Sequence, residues 1–393
     1  MGGLSEEAEA LLELTRDIAD AELRPAVDKA EKTATFPRQA FRTLGQAGLL
    51  SLPYPEKFGG GGQPYEVYLR VIEELASAWL TVGLGVSVHT LACYPLAVAG
   101  TEEQQERWLP AALGGDLLGA YCLSEPHCGS DAAALRTRAV AVQGEGEAGG
   151  DQYVVDGVKA WISHAGRADF YALFARTSGD CEGPGRSRGI SCFHVPAATE
   201  GVAAAPAEHK MGMRGSVTAQ MLFSGARLGR DHLVGEEGQG FSLALSALDS
   251  GRLGIAACST GVARAALETA VNYARERRQF GKPIGEFQGV SFMLADMAIA
   301  VEASRSLYLE AARRKDAGLD FSAQAAMAKL FASDTAMRVA TDAVQVLGGY
   351  GYVEDFPAER LMREAKVLQI VEGTNQIQRM VIGRWLAKGG GSR

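Results

Sequence analysis

The stretch Tyr153-Val154-Val155-Asp156-Gly157-Val158-Lys159-Ala160-Trp161-Ile162 decides how this chain is read, because there its hydrophobic pattern changes. Before it, apolar residues recur at helical spacing. Within it, valine, isoleucine and aromatic residues are gathered in short runs typical of strands. Asp156-Gly157 between two such runs predicts a tight hairpin, since the favoured two-residue turns need positive φ. Residues 170–175, 190–195 and 217–223 read as further strands, separated by polar loops such as 179–189. Short strands joined in this way predict an antiparallel barrel or sandwich.

Working outward, residues 4–32 carry an apolar stripe with charges on the other face, and 37–50 read as a second helix. The Gly- and Pro-rich run 52–62 is a loop, Pro64 can open a helix, and Thr101-Glu102-Glu103-Gln104 has the form of a capping box. After the strands, residues 241–278 are apolar around much of a helical circumference, which places them inside a bundle. Pro283-Ile284-Gly285, Ala317-Gly318-Leu319-Asp320 and Gly348-Gly349-Tyr350-Gly351 punctuate the later helices.

The order predicts an α+β fold: an N-terminal helical domain (1–118), a middle antiparallel β-barrel or sandwich domain (119–230) and a C-terminal domain of four-helix-bundle type (231–393). There is no βαβ alternation, which argues against a doubly wound nucleotide-binding fold. Gly144-Glu145-Gly146-Glu147-Ala148-Gly149 formally matches the dinucleotide fingerprint. A strand follows it rather than a helix, and its glutamates would repel a pyrophosphate.

Composition narrows the function. With 393 residues, 47% hydrophobic and 22% charged, the chain can bury substantial cores. A net charge of −8 without a long basic run speaks against a nucleic-acid or anionic-membrane surface. The six cysteines form no Cys-x-x-Cys pair and the six histidines show no ligand spacing, so reduced thiols, no metal and a cytoplasmic setting are expected. The acidic N-terminal helix lacks the basic start of a secretory signal. Residues 75–101 carry no Asp, Glu, Lys or Arg and could span a bilayer by length. They also hold Ser77, Thr81, Ser87, His89, Thr90 and Pro95, so a buried helix pair is expected instead.

One carboxylate invites a chemical reading. In Ile370-Val371-Glu372-Gly373-Thr374-Asn375-Gln376, Glu372 lies between an apolar residue and a flexible one, at a break between two helices. A carboxylate shielded from water has a raised pKa and can act as a base on a weakly acidic C–H bond. Read alone, the segment is equally an ordinary helix end.

The motifs, taken in order, resemble the acyl-CoA dehydrogenase family over nearly the whole chain. They run from Pro55-Glu56-Lys57-Phe58-Gly59-Gly60 to Glu372-Gly373-Thr374. The resemblance implies a short- or branched-chain-like enzyme using FAD to desaturate an acyl-CoA thioester. Glu372 would remove the α-proton while the β-hydrogen leaves as hydride to flavin N5. It also implies a homotetramer built as a dimer of dimers, and an electron acceptor such as an electron-transfer flavoprotein.

The same resemblance assigns site residues. The segment Tyr121 to Asp131, through Tyr121, Leu123, Ser124, Gly129 and Ser130, would hold the pyrimidine end of the flavin, with Ser130 also touching the pantetheine arm. Trp161, Ile162 and Ser163 would pack on the flavin and bond near N5. Arg277, Gln279, Phe280, Gln288, Gln345, Gly348 and Gly349 would reach the FAD of a neighbouring subunit, and Thr374 and Gln376 would bind cofactor after the base. Asp249, Arg252 and Gly373 would meet the substrate. Some relatives carry their carboxylate at the Gly251 position, where glycine cannot serve.

Each motif also has a plain reading. Asp249 and Arg252, three apart on a helix, can be a structural ion pair, and basic residues around 277 complement a helix C-terminus. Val371, where an aromatic residue is common, points to a short or branched acyl group, with the pocket floor from residues 75–95. An oxidase of the same fold, an enzyme of carrier-protein thioesters, a flavin-bearing DNA-protecting relative and a helical scaffold remain alternatives. The charge speaks against the third.

Overall fold

Ser5 opens the first helix by accepting the Ala8 N–H, and Glu6, Glu7 and Glu9 in the first turn complement its dipole. The structure, a computed structural model, describes residues 4–143, 152–183 and 185–390. The glycine fingerprint at 144–149 lies outside the described residues. α1 (Glu6–Ile18) runs through a π turn (Ala19–Leu23) into α2 (Arg24–Thr33). The single helix expected at 4–32 is thus one rod with a local widening, placed just before Pro25, which cannot donate a helical hydrogen bond.

α3 (Arg38–Gln46) ends short of the expected residue 50, where Gly48 turns to a φ of +73°. α4 (Tyr65–Ala78) and α5 (Leu80–Ala99) form the expected buried pair, broken at the extended residue Trp79. The Trp79 indole N–H donates to Glu31, which holds the break to α2. α5 is long and apolar enough to cross a membrane, yet 72% of its most apolar window is buried within the protein. α6 (Glu102–Leu113) starts with the expected capping box between Thr101 and Gln104.

The middle of the chain makes one sheet from β1 (Gly119–Cys122), β2 (Arg138–Val142), β3 (Gln152–Ser163), β4 (Phe170–Arg176), β5 (Ile190–Pro196), β6 (Val202–Ala204), β7 (Thr218–Gly229) and β8 (Leu233–Val234). The order is β6-β7-β3-β2-β4-β5-β8, with β1 beside β4. Pairing is antiparallel except for β1–β4 and a single parallel bridge between β2 and β4.

The hairpin expected at Asp156-Gly157 does not form. Both residues lie inside β3, which continues along β7 with a register shift between Val155 and Gly157. Asp156 accepts the Gly225 N–H at 2.8 Å, so its side chain is committed across the ladder. Gly157 passes so close to Thr137 that a Cβ there would lie 2.5 Å from Oγ1. A signal for a reversal was in fact a signal for a bulge.

The C-terminal part contains α7 (Gly240–Glu276), α8 (Gln288–Asp316), α9 (Ser322–Leu347), α10 (Gly349–Tyr352), α11 (Ala358–Leu368) and α12 (Asn375–Ala387). A short antiparallel pair, β9 (Arg278–Gln279) and β10 (Lys282–Pro283), joins α7 to α8. α7 packs on α8, α9 and α11 and also on α4 and α5 of the N-terminal part. Its residues 250–263 are buried without interruption. Gly261 permits this, because a Cβ there would lie 2.4 Å from the Glu73 carbonyl. One helix therefore serves as the wall between two helical layers, and its early turns face the break that follows α11.

Candidate active site

Helix α11 stops at Leu368, and the chain turns through residues 369–374 before α12 begins. Glu372 (φ +51°) and Gly373 (φ +92°) both adopt left-handed backbone, which costs a non-glycine residue about 1 kcal/mol. The turn is held from three sides. Lys329 Nζ, buried on α9, donates to the Gly373 carbonyl (3.0 Å) and to Asn375 Oδ1 (2.8 Å). Gln378 Nε2 donates to the same carbonyl at 2.8 Å, and the Thr374 hydroxyl accepts the Ile377 N–H to cap α12.

The turn delivers the Glu372 carboxylate against α7. Both of its oxygens are shielded from solvent and have no hydrogen-bond partner, although the residue as a whole is only partly buried. Burial pushes its pKa up to about 7, against the opposing pull of the Lys329 and Arg252 charges. A Cβ built on Gly251 would lie 2.0 Å from Glu372 Oε2. Only glycine at 251 leaves room for this carboxylate. The Glu372 backbone N–H also makes no hydrogen bond among the described residues.

Gly251 forms part of the wall of a cavity of about 180 Å³. Leu91 and Tyr94 of α5, Tyr54 of the Gly-rich loop, Tyr65 of α4 and Lys315 of α8 also line it. Ser87, Thr90, Leu91 and Tyr94 bring the uncharged 75–95 region to its wall. On the adjoining face of α7, Arg252 Nη1 pairs with Asp249 Oδ1 at 2.5 Å, and Ser322 donates to the same oxygen at 3.0 Å. Arg252 Nε is buried without a partner. The two residues expected as substrate contacts are thus joined in an ion pair, which commits one Arg252 N–H to Asp249.

Tyr121 to Ser130 and Trp161 to Ser163 are brought side by side. Ala160 N–H donates to the Ser124 carbonyl at 2.9 Å. Lys159, fully buried, donates to Glu125 Oε1 (2.8 Å) and to the Leu123 carbonyl (3.0 Å), and Glu125 also accepts the Arg136 and Thr137 N–H groups. This buried pair locks the two segments in register. Glu125, His127 and Cys128 place ligand-type atoms within 4.8 Å of one another, but the Glu125 oxygens are already committed. Ser124 and Ser163 have no side-chain hydrogen bond among the described residues. A bulge between Lys159 and Ile162 turns Trp161 out at φ +62°, leaving the indole 65% exposed.

The remaining predicted residues form a second group. Arg277 lies over the Tyr350 ring at 5.7 Å, beside Gly348 and Gly349 at the end of α9. Phe280 stands 94% exposed at φ +51°, stacked edge-on to Phe287, the residue before Gln288. Gln279 and Gln345 are exposed; Gln376, also exposed, lies apart from them in the first turn of α12, four residues after Glu372. Arg277 follows the end of α7, whereas Gly251 lies in its fourth turn. At 1.5 Å per residue that separation is roughly 38 Å. The second group therefore does not join the Glu372 cavity within one chain.

Comparison with known proteins decides the family. The acyl-CoA dehydrogenase N-terminal domain matches residues 5–116, the middle domain 120–226 and the C-terminal domain 238–387. An acyl-CoA dehydrogenase of Bacillus subtilis (strain 168) is 44% identical over 387 residues, covering 98% of this chain and 99% of its own. This chain belongs to the acyl-CoA dehydrogenase family. The mitochondrial short-chain specific acyl-CoA dehydrogenase of Homo sapiens is 41% identical, covering 98% of this chain and 91% of its own. Butyryl-CoA dehydrogenase from Megasphaera elsdenii has the same fold, with a TM-score of 0.93 and 38% identity, covering 98% of this chain and 100% of its own.

An acyl-CoA dehydrogenase is an oxidoreductase, and the arrangement of helices, sheet and helices is the family's three-domain fold. Sequence reasoning missed three lysines of this dehydrogenase: Lys159, Lys315 and Lys329. Lysine normally marks solvent, so nothing local announces a buried one. For Lys159 the two-residue period offers a hint, since it counts with Tyr153 and Val155, but the bulge makes that count unsafe.

Proposed function

We propose that this chain catalyses FAD-dependent α,β-dehydrogenation of a short or branched acyl-CoA thioester, with Glu372 as the base. The carrying observation is the Glu372 carboxylate, shielded and unpartnered among the described residues, packed against Gly251, which itself lines a mostly apolar cavity. A carboxylate with hydrogen-bond donors would be held as a spectator ion; this one has a pKa of about 7 and accepts a proton readily. Its backbone N–H is free to donate to the thioester carbonyl, which stabilises the charge that builds there as the α-proton leaves. Lys329 fixes the turn, so the base meets the α-carbon without having to be ordered first.

The residues present fit FAD. Ser124 and Ser163 offer hydroxyls that no other described residue uses, and Trp161 offers an open aromatic face next to them. FAD, when bound there, accepts the β-hydrogen as hydride. Lys159 and Glu125 hold Ser124 and Ser163 at a fixed spacing towards the ring. Arg277, Gln279, Phe280, Gln345, Gly348 and Gly349 would serve the cofactor of a second protomer, because they gather where the ends of α7 and α9 meet through Arg277 and Tyr350, roughly 38 Å along α7 from Gly251. Apolar side chains left open on α8 and α9 (Phe292, Ile299, Leu307 and Phe331) support the same homotetramer.

The test is an anaerobic titration of the purified flavoprotein with acyl-CoAs of graded length and branching. Bleaching of the flavin by short acyl-CoAs is expected. Absence of bleaching with every acyl-CoA, but bleaching by carrier-protein thioesters, would replace CoA as the carrier. Turnover supported by oxygen alone would identify an oxidase instead of an enzyme that hands electrons to a flavoprotein.

A further inference from the structure

The cavity beside Gly251 has a single charged residue in its lining, Lys315, in the last turn of α8. Its ammonium donates to Ser250 Oγ, and that is its one hydrogen bond among the described residues. The nearby acids are committed elsewhere. Asp249 serves Arg252 and Ser322, and Asp316 accepts the Tyr65 and Glu66 N–H groups at the start of α4. Three rings hold the ammonium in place: Tyr65 at 4.1 Å, Phe321 at 5.3 Å and Tyr94 at 5.8 Å. Ring faces attract a cation, but they do not replace its remaining hydrogen bonds.

We propose that Lys315 sets acyl-chain selectivity, ending the apolar part of the cavity so that only short acyl groups are well accepted. The inference rests on the acyl-thioester reading of the Glu372 site. Against an apolar wall, each added methylene would improve binding roughly fourfold. Against an ammonium that retains spare N–H bonds, an added methylene must displace its water and supply nothing in return. The gain per methylene is therefore cancelled once the chain reaches Lys315. Size agrees, since the cavity of about 180 Å³ is close to the roughly 150 Å³ that accommodates a benzene-sized guest.

The test compares kcat/KM for butyryl-CoA and octanoyl-CoA in the flavin-loaded enzyme and in Lys315→Met, Lys315→Gln and Lys315→Arg. The octanoyl-to-butyryl ratio is expected to rise at least tenfold in Lys315→Met, less in Lys315→Gln, and not in Lys315→Arg. A ratio cancels general damage, and the Gln and Arg variants carry the comparison if the Met variant does not fold. Ratios within twofold of the parent in both neutral variants would overturn the role of Lys315 alone. Failure of every acyl-CoA to reduce the parent flavin would overturn the thioester reading, and this proposal with it.

Discussion

Two carboxylates lie buried against α7 and α8, and they have opposite surroundings. Glu73 on α4 receives Arg305 through Nε and Nη2, the Tyr308 hydroxyl, and Arg264 Nη1 at 3.7 Å. Glu372 receives nothing on either oxygen. A carboxylate fully supplied with donors is fixed as an ion and ties elements together. One denied them keeps its affinity for a proton. The same residue type thus builds structure in one place and, as proposed, supplies the base in the other, and partner count distinguishes the two.

That contrast can be broken from either side. The largest effect is expected for Glu372→Gln, which keeps shape but removes the proton acceptor. Flavin reduction by butyryl-CoA should slow by about a thousandfold or more, while flavin content and thermal midpoint hold. Slowing of less than tenfold would assign the base elsewhere. Next comes Glu73→Gln, which removes the carboxylate shared by Arg305, Tyr308 and Arg264 but leaves Glu302 and Glu74 on the two arginines, and should cost about 1–3 kcal/mol in denaturant unfolding. Stability equal to that of the parent would overturn the structural role of Glu73.

Gly251→Ala sharpens the comparison by crowding Glu372 without touching its chemistry. The new methyl collides with Oε2, so the carboxylate must shift, and roughly a hundredfold loss in kcat is expected with FAD retained. The smallest effect is on pH. With a pKa of about 7, Glu372 is mostly protonated at pH 6 and mostly ionised at pH 8. kcat/KM should therefore rise roughly tenfold across that interval. Lys329→Met removes a cation that lowers this pKa, so the midpoint should move upward. A downward movement would show that Lys329 acts on the base in some other way.

Much of this was legible in the residues. The α, β, α order followed from the change of hydrophobic period, and Glu372 stood out because it interrupts two helices beside a glycine. The hydroxyl and tryptophan positions proposed to meet the flavin came from resemblance, and the fold brings their two segments together. What the residues hid was long-range partnership. Asp156-Gly157 reads as a turn because its chemistry suits one, and only the proximity of Thr137 and Gly225 makes it a bulge. Lys159, Lys315 and Lys329 are paired with groups 34 to 65 positions away, a separation no local pattern records.

The left-handed backbone at Glu372 has a consequence for evolution in the laboratory. A glycine there would relax the peptide and dispense with a desolvated acid in one step. Screens that reward heat resistance alone should accordingly harvest Glu372→Gly and its like, sturdier proteins that lack the proposed base. Durability and the proposed turnover would then compete at this one residue.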